Sequence, residues 1–218
     1  MIPISDATHK AARFPFINII LILANIYVFF LQITSPEAFT YAYALVPSEI
    51  NLANPYTWYP FVTSMFLHGG FLHIASNMLF LWVFGDNVEG EMPPLIYLFV
   101  YLLSGIAGAF LQYILNPASD IPMLGASGAV AGVLGAYISY FPHHKIKTLL
   151  PLFFIFTFVN ISAWMMIGYW FLLQILSGFT SLPMQQEGGV AFFAHIGGFV
   201  AGFLMSKMFR INRQEVAV

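Results

Sequence analysis

The chain contains no cysteine and few charged residues. Only 7% of its 218 residues are charged and 60% are hydrophobic, which excludes an ordinary soluble domain and predicts a polytopic protein embedded in a lipid bilayer. The absence of cysteine excludes disulfide bonds, a thiol nucleophile and cysteine-based metal sites. No H-E-x-x-H motif is present either, so we expect no metal and no other cofactor. The net charge of −2 gives no indication of a nucleic-acid partner.

Apolar runs long enough to cross a bilayer, roughly 17 to 25 residues, predict an all-α bundle of six transmembrane helices. The region 148–179 holds one crossing or two, because a polar stretch at 160–163 interrupts it. With one crossing, all seven basic residues fall on one side, which favours cytoplasmic termini. We therefore expect 148–163 to be an interfacial or re-entrant piece. The predicted spans, in a single membrane domain over 1–218, are about 15–34, 68–85, 93–115, 126–141, 164–179 and 192–209.

Two connections on the opposite side are candidates for function. The outer loop 35–63 contains Tyr56, Trp58 and Tyr59 beside prolines, which favours a partly folded element in the headgroup region; a passive tether is the alternative. The loop 180–191 is glycine-containing and leads to His195, so we expect it to act as a lid.

The first ten residues are short and polar and lack the cleavage pattern of a secretory signal. The first apolar run is therefore expected to be retained as a span. The lack of extra domains or a targeting segment favours a bacterial plasma membrane.

Four polar residues lie at the same end of three predicted spans. Spans two, four and six run in the same direction and begin with His73 and Asn77, with Ser127, and with His195. A serine flanked by glycines is by itself more often a helix-packing residue. The concentration of the other three at one depth instead predicts a catalytic site in the outer third of the bilayer, in a cavity that admits water and opens outward.

The residue types at this site suit serine hydrolase chemistry. A serine hydroxyl needs a neighbour that takes its proton, and His195 is the candidate base for Ser127. His73 and Asn77 are four residues apart and share one helix face, where they can stabilise an oxyanion with the backbone N–H groups of Ser127 and Gly128. No acidic residue lies inside a predicted span, so the sequence predicts a Ser–His dyad.

Small residues recur at helical spacing beside both members of the dyad. Gly128 and Gly132 lie on the fourth predicted span, and Gly198 and Gly202 lie on the sixth. Each pair permits close helix packing, which is how a short distance between serine and histidine can be built in lipid.

The motifs together resemble the rhomboid family of intramembrane serine proteases over about 16–210. They are HGGFLHIASN (68–77), GASG (125–128), and AHIGG (194–198) followed by Gly202. The resemblance implies six helices, Ser127 as nucleophile, His195 as base, and His73 with Asn77 at the oxyanion site. It also implies cleavage of single-pass membrane proteins at or near the top of their transmembrane helix.

The sequence departs from the family pattern at two places. Many members carry a Trp-Arg pair in the first loop where this chain has Tyr59-Pro60, so the anchoring of the loop is expected to differ. Some members stack an aromatic on the histidine one turn after the serine, where this chain has Ala131. Another residue must then orient His195.

Two other functions fit a polytopic chain. A catalytically inactive relative would bind transmembrane helices as an adaptor or chaperone. Such relatives usually lack the serine or the histidine, whereas this chain has both. A transporter or channel would use the polar residues as a permeation path. The chain has no intramembrane carboxylate and no obvious inverted repeat to support that reading.

Overall fold

The computed structural model describes residues 1–8, 13–152, 155–181 and 190–215, without the side chains of 152, 155, 181 and 210–215. The expectation of a mostly helical chain is confirmed. Within the described ranges, each predicted span overlaps one long helix. The helices are α1 (Phe16–Thr34), α2 (Glu37–Tyr43), α3 (Pro60–Thr63), α4 (Phe71–Gly90), α5 (Pro94–Leu115), α6 (Ser127–Tyr140), α7 (Ala163–Ser181) and α8 (Phe192–Glu215).

Four of these helices are long and apolar enough to cross a membrane, namely α1, α5, α7 and α8. A fifth candidate is α4 together with the helical turns before it, which meet it at a bend of 83°. Helix α6 has 14 residues, about 21 Å, and is shorter than a hydrocarbon core of about 30 Å. Length and composition therefore support four or five spans, and the count of six stays a prediction.

Helix α6 lies at the centre of the bundle. Nearly all of its side chains are buried, and it packs against α4, α5 and α8. A helix that is apolar on every face is expected in such a position. Its small side chains let the neighbouring backbones come close, which places the first residue of α6 among three other helices.

Helices α6 and α8 approach each other closely at their glycines. A Cβ atom added to Gly198 would lie 2.0 Å from the carbonyl oxygen of Gly128, and one added to Gly202 would lie 2.0 Å from that of Gly132. A Cβ at Gly132 would lie 2.1 Å from Ser104 Cβ on α5. Any side chain at these positions would force the helices apart.

A three-stranded antiparallel sheet departs from the predicted all-α architecture. Strands β1 (Ile2–Asp6), β2 (Lys145–Leu152) and β3 (Ile155–Ser162) pair in that order, with Ile2 opposite Leu149 and Ile146 opposite Ile161. The expectation of an interfacial or re-entrant piece over 148–163 did not include this hairpin. The alternation of exposed Lys145 and Lys147 with buried Ile146 and Thr148 is the strand signal that the apolar run concealed.

Two buried carboxylates hold the sheet-bearing end of the bundle together. Asp6 of β1 accepts hydrogen bonds from the Tyr137 hydroxyl of α6 and from Asn87 of α4 at 3.3 Å. Glu89 of α4 accepts the backbone N–H groups of Ile17 (3.0 Å) and Asn18 (2.8 Å) at the start of α1. The start of α1 and the ends of α4 and α6 therefore lie together beside β1.

Helix α4 continues beyond the predicted span and carries acidic residues in its last turns. The expected boundary was at about 85, whereas the helix ends at Gly90 and includes Asp86 and Glu89. The hydrogen bonds that Glu89 accepts from the first turn of α1 compensate its burial.

The segment 35–63 is a partly folded element, as the sequence predicted. It contains α2, two short 3₁₀ turns and α3. Its chain pairs with the segment before α6, since Leu45 and Met123 exchange backbone hydrogen bonds of 3.0 and 2.8 Å. The Tyr59 hydroxyl donates to the Ala42 carbonyl at 2.8 Å, which anchors the element internally.

Candidate active site

One cavity brings together the four polar residues that the sequence placed at the same end of three spans. It has a volume of about 590 Å³, and His73, Asn77, Ser127 and His195 all line it. Helices α4, α6 and α8 each contribute to its wall, and the loop that precedes α6 closes one side. This volume lies within the range of ligand-binding cavities in proteins.

Ser127 is the first residue of α6 and is partly exposed. The first helical hydrogen bond runs from Val130 N–H to the Ala126 carbonyl at 2.9 Å, so the N–H groups of Ser127 and Gly128 precede the hydrogen-bonded ladder. Helix N-termini leave such donors unpaired and favour negative charge. The hydroxyl therefore lies beside backbone donors suited to an oxyanion.

Gly125 fixes the loop before Ser127 against the ring of His73. Its φ of +128° lies in a region that favours glycine. A Cβ atom there would lie 2.7 Å from His73 Cε1 and 2.8 Å from His73 Nε2. The Gly125 N–H donates to the Ser64 carbonyl at 2.9 Å, so the loop is held from both sides.

The hydrogen bonding of His73 determines which ring nitrogen carries its proton. The backbone N–H of Gly69 donates to His73 Nδ1 at 3.2 Å, so Nδ1 is the acceptor. In the neutral ring the proton then lies on Nε2. His73 thus presents an N–H donor at Nε2, the ring edge that faces Gly125.

Asn77 lies one turn after His73 on α4, and its side chain is buried with 6% exposure. Within the described part of the chain, its Nδ2 atom has no hydrogen-bond partner. A buried amide donor without a partner is costly. Because Asn77 lines the cavity, a group that arrives in the cavity can supply the missing acceptor.

His195 lies in the first turn of α8 and contacts two residues of α7. Its Nδ1 atom is 2.7 Å from Gln174 Oε1, and its ring lies 5.8 Å from the Trp170 ring at 33°. Neither residue was among those predicted from the sequence. A glutamine inside an apolar span was the available signal, but the sequence could not tell which helix its side chain faces.

His68, for which the sequence indicates only a structural role near the membrane edge, is buried beside the cavity residue His73. Its backbone exchanges hydrogen bonds with the Gln32 amide. The ring packs edge-on against His73 at 5.2 Å and Phe29 at 6.3 Å. Its contribution is to pack beside His73.

The remaining sequence candidates lie around the cavity or outside the described residues. Asp120, the acidic residue nearest to Ser127 in the sequence, accepts a hydrogen bond from Ser48 of the outer element at 2.7 Å and is not among the cavity residues. Most of the expected lid, 182–189, lies outside the described residues. The residues that follow it, Val190 and Ala191, line the cavity.

A protein-family model described as "Rhomboid domain" matches residues 55–212. The chain is 33% identical over 162 residues to "Rhomboid protein 1, mitochondrial" of Saccharomyces cerevisiae, covering 71% of this chain and 44% of the relative. It is 31% identical over 146 residues to "Rhomboid protease GluP" of Bacillus subtilis, covering 67% and 25%. It is 32% identical over 158 residues to "RHOMBOID-like protein 1" of Arabidopsis thaliana, covering 70% and 34%.

The chain therefore spans between a quarter and less than half of the length of these curated relatives. One relative is named as a protease, one as mitochondrial, and one comes from a plant. The family match and the long apolar helices support an integral membrane protein. The expected location in a bacterial plasma membrane is not supported, because the relatives include mitochondrial and plant proteins.

Proposed function

The chain belongs to the rhomboid family, and on that premise we propose that it is an intramembrane serine endopeptidase. Ser127 is the nucleophile and His195 the general base, without a cofactor or metal. The substrates are single-pass membrane proteins, cleaved in or near the transmembrane segment. The observation that carries this proposal is the single cavity shared by Ser127, His195 and two side-chain donors.

The proposed reaction begins at the Ser127 hydroxyl. His195 Nε2 takes the proton from Oγ as Oγ forms a bond to the scissile carbonyl carbon. The carbonyl oxygen becomes an oxyanion and accepts hydrogen bonds from Asn77 Nδ2, His73 Nε2 and the first N–H groups of α6. Collapse breaks the carbon–nitrogen bond, and the leaving amine receives the proton from His195.

Water completes the proposed cycle. His195 takes a proton from water as the water oxygen attacks the acyl carbon, and the serine leaves with that proton. The chamber of about 590 Å³ supplies space for the water and for an unwound piece of substrate.

The proposed membrane position follows from the two ends of the bundle. Six crossings put Lys145 and Lys147 of β2 on the cytoplasmic side with both termini, and the cavity opens to the opposite side. If the last turn of α6 reaches the lower boundary, Ser127 lies on the order of 9 Å below the outer one. Tyr56 is 88% exposed and Trp58 45% exposed, as suits anchors of the outer element in the headgroup region.

The test is cleavage of a single-pass reporter by the purified chain in liposomes, with chelator present. Ser127→Ala and His195→Ala should each abolish cleavage. Ser206→Ala is the matched control, because Ser206 is buried on α8 and its hydroxyl donates to Phe203 of the same helix. Cleavage that survives Ser127→Ala contradicts the mechanism. A wild-type chain that binds several reporters and cleaves none indicates the helix-binding adaptor instead.

A further inference from the structure

Two side chains of α7 contact the ring of His195 from one helix face. Trp170 and Gln174 are four residues apart, the spacing that places side chains above one another on a helix. The Trp170 ring lies beside the imidazole at 5.8 Å, and Gln174 Oε1 is 2.7 Å from its Nδ1 atom. Both Gln174 and His195 are buried, with exposures of 9% and 8%.

The neighbours of Gln174 determine how its amide is oriented. Gln174 Nε2 lies 3.4 Å from the Trp170 carbonyl oxygen, which can only accept a hydrogen bond. The reversed amide would place its oxygen against that carbonyl, with two acceptors facing each other. The amide nitrogen therefore faces Trp170, and the amide oxygen faces His195.

This orientation fixes the tautomer of His195. An amide oxygen has no proton to give, so the contact of 2.7 Å requires that Nδ1 of His195 carries the proton. In the neutral ring, Nε2 is then unprotonated and free to act as a base. When Nε2 takes a proton, Nδ1 still donates to Gln174, so the same hydrogen bond serves both states of the ring.

We propose that Gln174 is the positioning residue that holds His195 in the Nδ1-protonated tautomer, with Trp170 fixing the ring plane. The proposal rests on the proposed function of His195 as base. Gln174 takes the place that an acidic side chain has in a Ser-His-Asp triad, and an amide in that place has a precedent in the Cys-His-Asn arrangement. Ala131 has no aromatic ring to stack on His195, and Trp170 of α7 supplies the aromatic contact.

The alternative is a purely structural role, in which Gln174 only provides a hydrogen-bond partner for a buried histidine nitrogen. Both roles predict a loss of stability when the amide is removed. Only the positioning role predicts a change in the tautomer of His195 and a fall in kcat at nearly constant KM, since Gln174 is not among the residues that line the cavity.

The first measurement is the ¹⁵N NMR spectrum of the histidine-labelled chain in detergent micelles, at a pH where His195 is neutral. His195→Asn assigns the His195 signals. We expect a protonated Nδ1 and an unprotonated Nε2 in the wild type, and a shift toward the other tautomer in Gln174→Leu. A wild-type ring protonated at Nε2 overturns the proposal. This result does not depend on activity, so it stands apart from the outcome of the reporter assay.

The second measurement is reporter cleavage by folded protein. Gln174→Leu should lower kcat about 10-fold and change KM less than about twofold. Gln174→Glu keeps an acceptor opposite Nδ1 and, in the fraction that folds, should retain at least about a third of the wild-type kcat. Gln112→Leu on α5 is the matched control, because Gln112 does not line the cavity. A kcat of Gln174→Leu equal to that of Gln112→Leu, with an unchanged tautomer, refutes the positioning role.

Discussion

Gly198 lies one turn after His195 and touches the residue that follows Ser127, so a methyl group there tests how the two helices position the dyad. The Cβ of Gly198→Ala would lie 2.0 Å from the Gly128 carbonyl oxygen and 2.8 Å from its carbonyl carbon. Both atoms belong to the backbone at the start of α6 and cannot turn aside. The helices themselves must separate.

The required separation follows from the distances. Ordinary contact of a Cβ begins near 3.4 Å, so 3.4 − 2.0 gives a shift of about 1.4 Å between α8 and α6 at this level. Overpacking of this kind typically costs about 1–3 kcal/mol of stability. A misplacement of about 1 Å between reacting groups costs on the order of 10²-fold in rate. We expect Gly198→Ala to lose about 10²-fold in kcat/KM and to remain largely folded.

The assay is reporter cleavage in liposomes, with the rate divided by the folded fraction from thermal unfolding. Gly168→Ala on α7 is the control, because a Cβ at Gly168 meets no atom within 4 Å. That variant should keep the wild-type rate. If Gly198→Ala also keeps the wild-type rate per folded molecule, close packing of α6 and α8 does not position the dyad.

Two further predictions concern the donors of the cavity and the sheet-bearing end. Asn77→Ala removes the buried Nδ2 donor. It should lower kcat by about 10²-fold or less, because His73 and the backbone N–H groups also donate to the oxyanion. Single-turnover cleavage measures this loss, and an unchanged kcat would exclude Asn77 from the oxyanion site. Asp6→Ala leaves the Tyr137 hydroxyl and Asn87 amide without their shared acceptor and should cost about 2–3 kcal/mol of stability in detergent unfolding. A loss of activity per folded molecule in Asp6→Ala would contradict the separation of this cluster from the site.

The helix positions could be predicted from the sequence, because hydropathy alone determines where long apolar helices lie. The expected fourth span at 126–141 compares with α6 at Ser127–Tyr140, and the fifth at 164–179 with α7 at Ala163–Ser181. The hairpin of β2 and β3 was not predicted, because a continuous apolar run has the same hydropathy whether it forms a strand or a buried helix. Only the alternation beginning at Lys145 distinguishes it.

The contacts of the site could be predicted only in part. The sequence could place Ser127, His195, His73 and Asn77 at one end of the bundle, because topology orders the ends of spans. It could not assign Gln174 to His195, because that contact depends on how α7 is rotated against α8. The sequence also could not show that the Gly69 N–H determines which ring nitrogen of His73 is protonated. That hydrogen bond of 3.2 Å comes from the backbone, so it does not depend on the residue type at position 69.

The proposed pairing of His195 with an amide has a physical reason in this environment. A carboxylate at the position of Gln174 would be buried in a low-dielectric bundle beside a neutral ring, and its desolvation would cost several kcal/mol before catalysis began. An amide accepts the same hydrogen bond without a net charge, so the ring is oriented at little cost in stability. The amide gives up the charge that would stabilise the imidazolium of the transition state. The rate then depends more strongly on geometry, which is why we expect the loss of the close contact between Gly198 and Gly128 to lower the rate more than the loss of the Gln174 amide.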